Sequence, residues 1–97
     1  MILLIDIGNT NTVCSIYNGQ EYIVYERIEL KNDIKKKIEK WNTYDIKNIA
    51  ISSVVPELTE YFITILKKEL SINPFIISYK NAGIILKVDS NEEVGND

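Results

Sequence analysis

The spacing of apolar residues changes period along the chain, and each change marks an element. The opening "MILLID" is apolar on both faces, as an interior strand is, and "TVCSIY" then runs to Asn18-Gly19, a strong short hairpin signal. A third strand, "EYIVYERIEL", sets Tyr22, Val24 and Glu26 against Ile23, Tyr25 and Arg27. The chain therefore opens as a three-strand antiparallel meander. In "DIKKKIEKW" the period lengthens: Ile34, Ile38 and Trp41 stand at i, i+4 and i+7, one stripe of a helix. Asn32 is its expected N-cap, with Asp33 favourable in the first turn. "IKNIAISSVV" reads as a strand leading to Pro56 at the first position of a second helix. That helix runs through "ELTEYFITILKKEL" and turns Leu58, Phe62, Ile65 and Leu70 towards the sheet. "NPFIIS" and a shorter "AGIILKVD" are further strands. The order β-β-β-α-β-α-β predicts an α/β domain with a mixed sheet and helical crossovers, whereas a doubly wound Rossmann unit opens β-α-β.

Composition narrows the chemistry. A chain of 97 residues, 45% hydrophobic, makes one domain with a real core. Fourteen acidic against eleven basic residues give a formal charge of -3, which offers no general attraction for a nucleic-acid backbone. Cys14 is the one cysteine and alternates with Thr12 and Ile16, so it reads as a small buried hydrophobe. With no histidine, His-based triads and H-E-x-x-H metal sites are excluded within this sequence. The opening is too short for a signal peptide, and no apolar run approaches the roughly 20 residues of a membrane span. No membrane contact and a cytoplasmic location are the expectation. Lys35, Lys36, Lys37 and Lys40 lie opposite Ile34 and Ile38, and a solvated helix face accounts for them better than an anion patch.

Between the first two strands stands "DIGNTNTV", Asp6 to Val13. A carboxylate ending a strand that reads as buried is costly unless it has a partner. The loop's parts fit one task. Gly8 permits a positive φ and close approach of the backbone; successive N–H groups from Gly8 to Asn11 form an anion-binding nest, with the Thr10 and Thr12 hydroxyls as further donors. Asp6 would repel phosphate directly, so its useful role is to hold Mg²⁺, or water on Mg²⁺, against phosphate oxygens. The G-x-x-x-x-G-K-[ST] lysine is missing, which leaves charge neutralisation to metal and backbone donors, helped by another cation. The plain alternative is an Asx-rich turn in which Asp6 and Asn9 cap local backbone groups.

This loop resembles the first phosphate motif of the acetate-kinase, sugar-kinase, Hsp70 and actin superfamily, and within it the match is sharpest to type III pantothenate kinases. "ISSVVPELT", Ile51 to Thr59, resembles that family's strand-to-helix segment, and "EVGND", Glu93 to Asp97, the start of its G-x-D-R substrate motif. The resemblance implies an RNase-H-like, actin-like ATPase domain over residues 1–97, the N-terminal, ATP-phosphate-binding part of an enzyme whose second domain is absent from this sequence. It implies transfer of the ATP γ-phosphoryl group to pantothenate, giving 4'-phosphopantothenate for coenzyme A. Mg²⁺ with ATP, a monovalent cation (K⁺ or NH₄⁺) and a homodimer of the full-length protein follow from the same resemblance.

Carried over residue by residue, the resemblance assigns Asp6, Ile7, Gly8, Asn9, Thr10, Asn11, Thr12 and Val13 to ATP, with Asp6 near the metal. Gly95 and Asn96 belong to the pantothenate site and Asp97 is the proton acceptor. Asn96 stands where alanine is commoner. Two other classes compete. A metal-dependent nuclease of RNase-H-like fold also places an Asp on its first strand, and Glu57, Glu60 and Glu69 are its candidate further carboxylates. A noncatalytic nucleotide-binding regulatory domain would keep the loop and transfer nothing.

Overall fold

The structure, a computed structural model, describes residues 1–77. Strands β1 (Ile2–Ile7), β2 (Thr12–Tyr17) and β3 (Tyr22–Ile28) form the meander; a 3-10 turn (Lys31–Asp33) leads into helix α1 (Ile34–Trp41). Strand β4 (Asn48–Ser53), helix α2 (Pro56–Leu70) and strand β5 (Phe75–Ile77) follow. The sheet order is β3-β2-β1-β4-β5, with β1 antiparallel to β2, β2 antiparallel to β3, and β1, β4 and β5 parallel. This is the mixed sheet of the RNase-H-like, actin-like arrangement expected from the sequence.

One face of the sheet carries the core. Leu3, Ile5 and Ile7 of β1 lie between Cys14 and Ile16 of β2 and Ile49 and Ile51 of β4, and Ile34, Ile38 and Trp41 of α1 close over them with Phe62, Ile65 and Leu66 of α2. The helical stripe read from the sequence is thus the buried one. In α2, Leu58 and Leu70 are only partly buried and Leu66 takes the deeper position. α1 is also tied to the sheet edge by polar contacts. Glu26 of β3 accepts hydrogen bonds from Lys37 Nζ at Oε1 and from Trp41 Nε1 at Oε2, the latter at 3.0 Å, and Lys40 Nζ lies 3.7 Å from the same Oε2. Lys37 and Lys40 therefore turn back to the protein, while Lys35 and Lys36 keep the solvated face expected of all four.

Several local expectations change. The β2–β3 connection is a four-residue loop, Asn18 to Glu21, because only Gly19 takes a positive φ (104°) and a two-residue type I′ turn needs two such residues. Asp33, not Asn32, precedes α1, and it makes no side-chain cap bond because the 3-10 turn already feeds the helix. α2 begins at Pro56 as the sequence indicates. The strand reading of "AGIILKVD" lies outside the described residues.

Candidate functional site

The loop between β1 and β2 sits at the end of the sheet where the parallel strands β1 and β4 finish. Its base is closed by one hydrogen bond, Gly8 N–H to Asn11 O at 3.0 Å. A Cβ on Gly8 would meet that same carbonyl at 3.2 Å, and Gly8 does not adopt a positive φ. Glycine is needed here for close approach, and an αR–αL nest, which requires a left-handed residue, is not formed. The donors differ accordingly from those expected: Gly8 N–H is engaged within the loop, whereas the N–H groups of Asn9, Thr10 and Asn11 have no acceptor among the described residues.

The wall facing the loop comes from the β4–α2 junction. Val54 N–H donates to Ile7 O at 3.1 Å, which ties the end of β4 to the end of β1. Ser53 Oγ accepts from Val55 N–H at 2.9 Å, and the Thr59 hydroxyl and N–H both donate to Val55 O at 3.0 Å. No side chain caps α2. Pro56 has no N–H to offer, so the first-turn donors without an acceptor among the described residues are the N–H groups of Glu57 and Leu58, at the positive end of a 15-residue helix.

Loop and junction enclose a cavity of about 320 Å³ lined by Gly8 to Thr12, by Ile28 to Lys31 with Ile34, and by Val55, Glu57 and Leu58. Thr12 is only 3% exposed. No hydrogen bond within the described residues engages its hydroxyl, and no side-chain polar atom there is both sealed and unpaired, so the hydroxyl reaches the cavity. The side chains of Asp6 and Asn9 make no local capping bonds either, which removes the support for a purely Asx-turn reading.

Asp6 stands apart from this cavity. It pairs in register with Val13 and Ser52 at the end of β1, on the sheet face opposite the core, and its side chain is exposed. The expected cost of a buried carboxylate does not arise: β1 is sealed only on the face of Leu3, Ile5 and Ile7. On its own face Asp6 borders a second cavity of about 300 Å³ with Leu4, Val13, Ser15, Ala50, Ser52 and Ile77. The structure thus brings Gly8 to Thr12 together with the α2 terminus, and sets Asp6 and Val13 on the opposite face of the sheet. Ile7 is core. The sequence reading missed Glu29, Leu30 and Lys31 as lining residues; their only signal was their position just after a strand that returns to the loop's end of the sheet. Gly95, Asn96 and Asp97 lie outside the described residues.

Among the described residues, no three His, Cys, Asp or Glu side chains converge. A single free carboxylate fits Mg²⁺ that arrives on a nucleotide, since that ion keeps most of its waters and uses one or two carboxylates beside phosphate oxygens. It does not supply the converging set that a two-metal nuclease uses. Cys14 is buried, and burial, reinforced by the nearby Glu26 carboxylate, pushes its thiol up to about 12, so it stays protonated and unreactive.

Comparison with known proteins bears on the whole chain. A profile of the family described as type III pantothenate kinase matches residues 2–97. The chain is 34% identical to a type III pantothenate kinase of Dictyoglomus turgidum, with all of this chain aligned to 43% of that protein. It is 31% identical to one of Listeria monocytogenes, covering 42% of it. The chain therefore spans about two fifths of the length of these curated relatives. Among solved structures, Archaeoglobus fulgidus Pelota superposes with a TM-score of 0.58 at 20% identity, covering 98% of this chain and 33% of that one, a likeness of fold alone.

Proposed function

The chain belongs to the type III pantothenate kinase family, and from that premise we propose that residues 1–97 form the RNase-H-like, ATP-phosphate-binding part of an enzyme that phosphorylates pantothenate. The observation that carries this reading is the cavity of Gly8 to Thr12 against the first turn of α2. Backbone donors on two sides and a nearly buried hydroxyl suit the oxygens of a polyphosphate, and they have no partner among the described residues. Asp6, at the same end of the sheet, is the carboxylate for the nucleotide's metal. Bound Mg²⁺ would offset phosphate charge as the γ-phosphoryl group transfers.

In this reading ATP gives its γ-phosphoryl group to the pantothenate hydroxyl, yielding 4'-phosphopantothenate for coenzyme A synthesis in the cytoplasm. Gly95 and Asn96 shape the pantothenate site. Asp97 orients the hydroxyl and accepts its proton late, as the oxygen bonds to phosphorus, because a carboxylate is too weak a base to remove an alcohol proton before attack. The monovalent cation and the homodimer contacts are assigned to the part of the enzyme beyond this chain. Phosphoryl transfer is largely a matter of positioning, so one wall of the cleft alone should bind Mg-ATP weakly and turn nothing over.

The test is an assay of a protein with the family's full length and this N-terminal sequence, supplied with Mg-ATP and pantothenate in potassium or in sodium buffer. Pantothenate-dependent ADP formation, greater in potassium, is the expected outcome. Absence of ADP formation together with cleavage of a nucleic-acid substrate would replace the kinase reading by the nuclease one.

A further inference from the structure

The cavity has a charge problem that the loop does not solve. Glu29 and Glu57 bring two acidic residues to its lining, against one basic residue, Lys31. A polyphosphate entering it needs cationic help beyond the backbone donors. Lys31 follows Leu30 in the 3-10 turn after β3, and it lines the same cavity as the Gly8–Thr12 loop. Its Nζ lies 4.4 Å from the centroid of the Tyr61 ring of α2. That contact orients an ammonium without neutralising it, since the ring offers only its quadrupole. No carboxylate lies within ion-pair distance of Lys31 among the described residues, although three other lysines do have such partners.

We propose that Lys31, held on the Tyr61 ring, is the side-chain cation that binds the polyphosphate tail in the Gly8–Thr12 cavity. The proposal rests on the phosphate-site reading above and assigns the positive charge that the missing P-loop lysine would otherwise bring. A lysine serves this purpose as a point charge on a flexible stem, and anchoring its end on an aromatic ring reduces the freedom lost on binding. Glu29 and Glu57 then restrict the site to phosphate already complexed with a divalent ion, because a bare tail would meet two like charges.

The 97-residue chain itself, titrated with magnesium tripolyphosphate and followed by amide NMR, provides the test. The amides of Asn9, Thr10, Asn11 and Leu58 should shift together on one binding curve. Lys31→Met should weaken that curve by about fivefold to tenfold and flatten its salt dependence, while Lys31→Arg restores both. Tyr61→Leu should weaken binding by a smaller factor, and Tyr61→Phe should leave it unchanged because the ring remains. If Lys31 merely joins the 3-10 turn to α2, Lys31→Met will lower the melting temperature and leave the titration curve intact, which overturns the proposal. Absence of any loop shift in the unaltered chain would overturn the phosphate-site reading itself, and with it this assignment.

Discussion

The two loops that flank β2 look alike in sequence and are built in opposite ways. At one end is Gly8-Asn9-Thr10-Asn11, at the other Asn18-Gly19-Gln20-Glu21. In the second loop, Asn18 Oδ1 accepts the N–H groups of Gln20 at 2.8 Å and Glu21 at 2.9 Å, and Asn18 N–H donates to Glu21 O at 3.1 Å. Its glycine is there for its φ of 104°, with nothing within 4 Å of a Cβ. The first loop makes a single internal bond, its remaining backbone donors have no acceptor among the described residues, and its residues line a cavity; its glycine is there for a close approach. A loop that uses its polar groups internally is a turn, whereas one that holds them unpaired beside a helix terminus is a candidate ligand site. The difference predicts that substitutions in the first loop change function and those in the second change stability.

The largest expected effect is at Asp6. In a full-length enzyme, Asp6→Asn is nearly isosteric and removes a charge that makes no hydrogen bond or ion pair among the described residues. Turnover should fall on the order of 10²-fold or more, with the melting temperature unchanged. Rates measured across a magnesium series, beside a melting curve, separate the two quantities. Full turnover at every magnesium concentration would remove Asp6 from the metal's surroundings and erase the functional half of the contrast.

Next comes Glu26, which marks where stability is held away from either loop. Trp41 is fully buried and its Nε1 donates to Glu26, so Glu26→Ala leaves a buried donor without an acceptor. The cost should be about 1–3 kcal/mol, read from urea unfolding, with polyphosphate binding per folded molecule retained. Glu26→Gln should cost less, because an amide oxygen can still accept from Trp41. The hydrogen bond from Lys37, then that from Trp41, hold the Glu26 carboxyl below its ordinary value. A depressed carboxyl stabilises the fold fully above the unfolded value near 4.5 and loses that contribution as pH falls through the lower folded value. Glu26→Gln should therefore flatten the acid limb of stability against pH and leave the neutral region parallel to the unaltered chain.

The meander, both helices and the core stripe were legible in the sequence because period alone decides them: Ile34, Ile38 and Trp41 can share a face only on a helix. The Gly8–Asn11 loop was legible as a candidate phosphate site by its composition and place. Its geometry was not. Whether Gly8 serves φ or proximity depends on where the Asn11 carbonyl lies, and period cannot say that an apolar strand has one face open at Asp6. Lys31 was hidden for a related reason. It comes to the loop through the return of β3 along the sheet, a tertiary fact, and its ring partner Tyr61 lies 30 residues further on.

In the second loop, Asn18→Ala removes the acceptor of two backbone N–H groups and should cost about 1 kcal/mol. Polyphosphate titration of the variant should match the unaltered chain, since the loop lies at the other end of β2. A weakened titration at equal folded fraction would show that the two ends are coupled, contrary to the contrast drawn above.

The finest test makes one substitution at both glycines. Alanine restricts the unfolded chain equally at each and so stabilises by about 0.4–1 kcal/mol before any strain is counted. At Gly19 the φ of 104° is one that a Cβ-bearing residue resists, and the strain exceeds that gain, giving a net loss of about 1 kcal/mol. At Gly8 the φ is ordinary and the only obstacle is the Asn11 carbonyl at 3.2 Å, which must retreat by a few tenths of an ångström. The two contributions nearly cancel, so Gly8→Ala should melt within about 2 °C of the unaltered chain, a shift of well under 1 kcal/mol for a domain of this size. The retreating carbonyl nevertheless carries the Asn9–Asn11 amides with it, and magnesium tripolyphosphate should bind more weakly to Gly8→Ala than to Gly19→Ala. Melting curves and titrations of the two variants, run side by side, check the inversion: stability should rank Gly8→Ala above Gly19→Ala, and affinity should rank them the other way. Should both quantities rank the variants in the same order, the two loops do not divide function from stability.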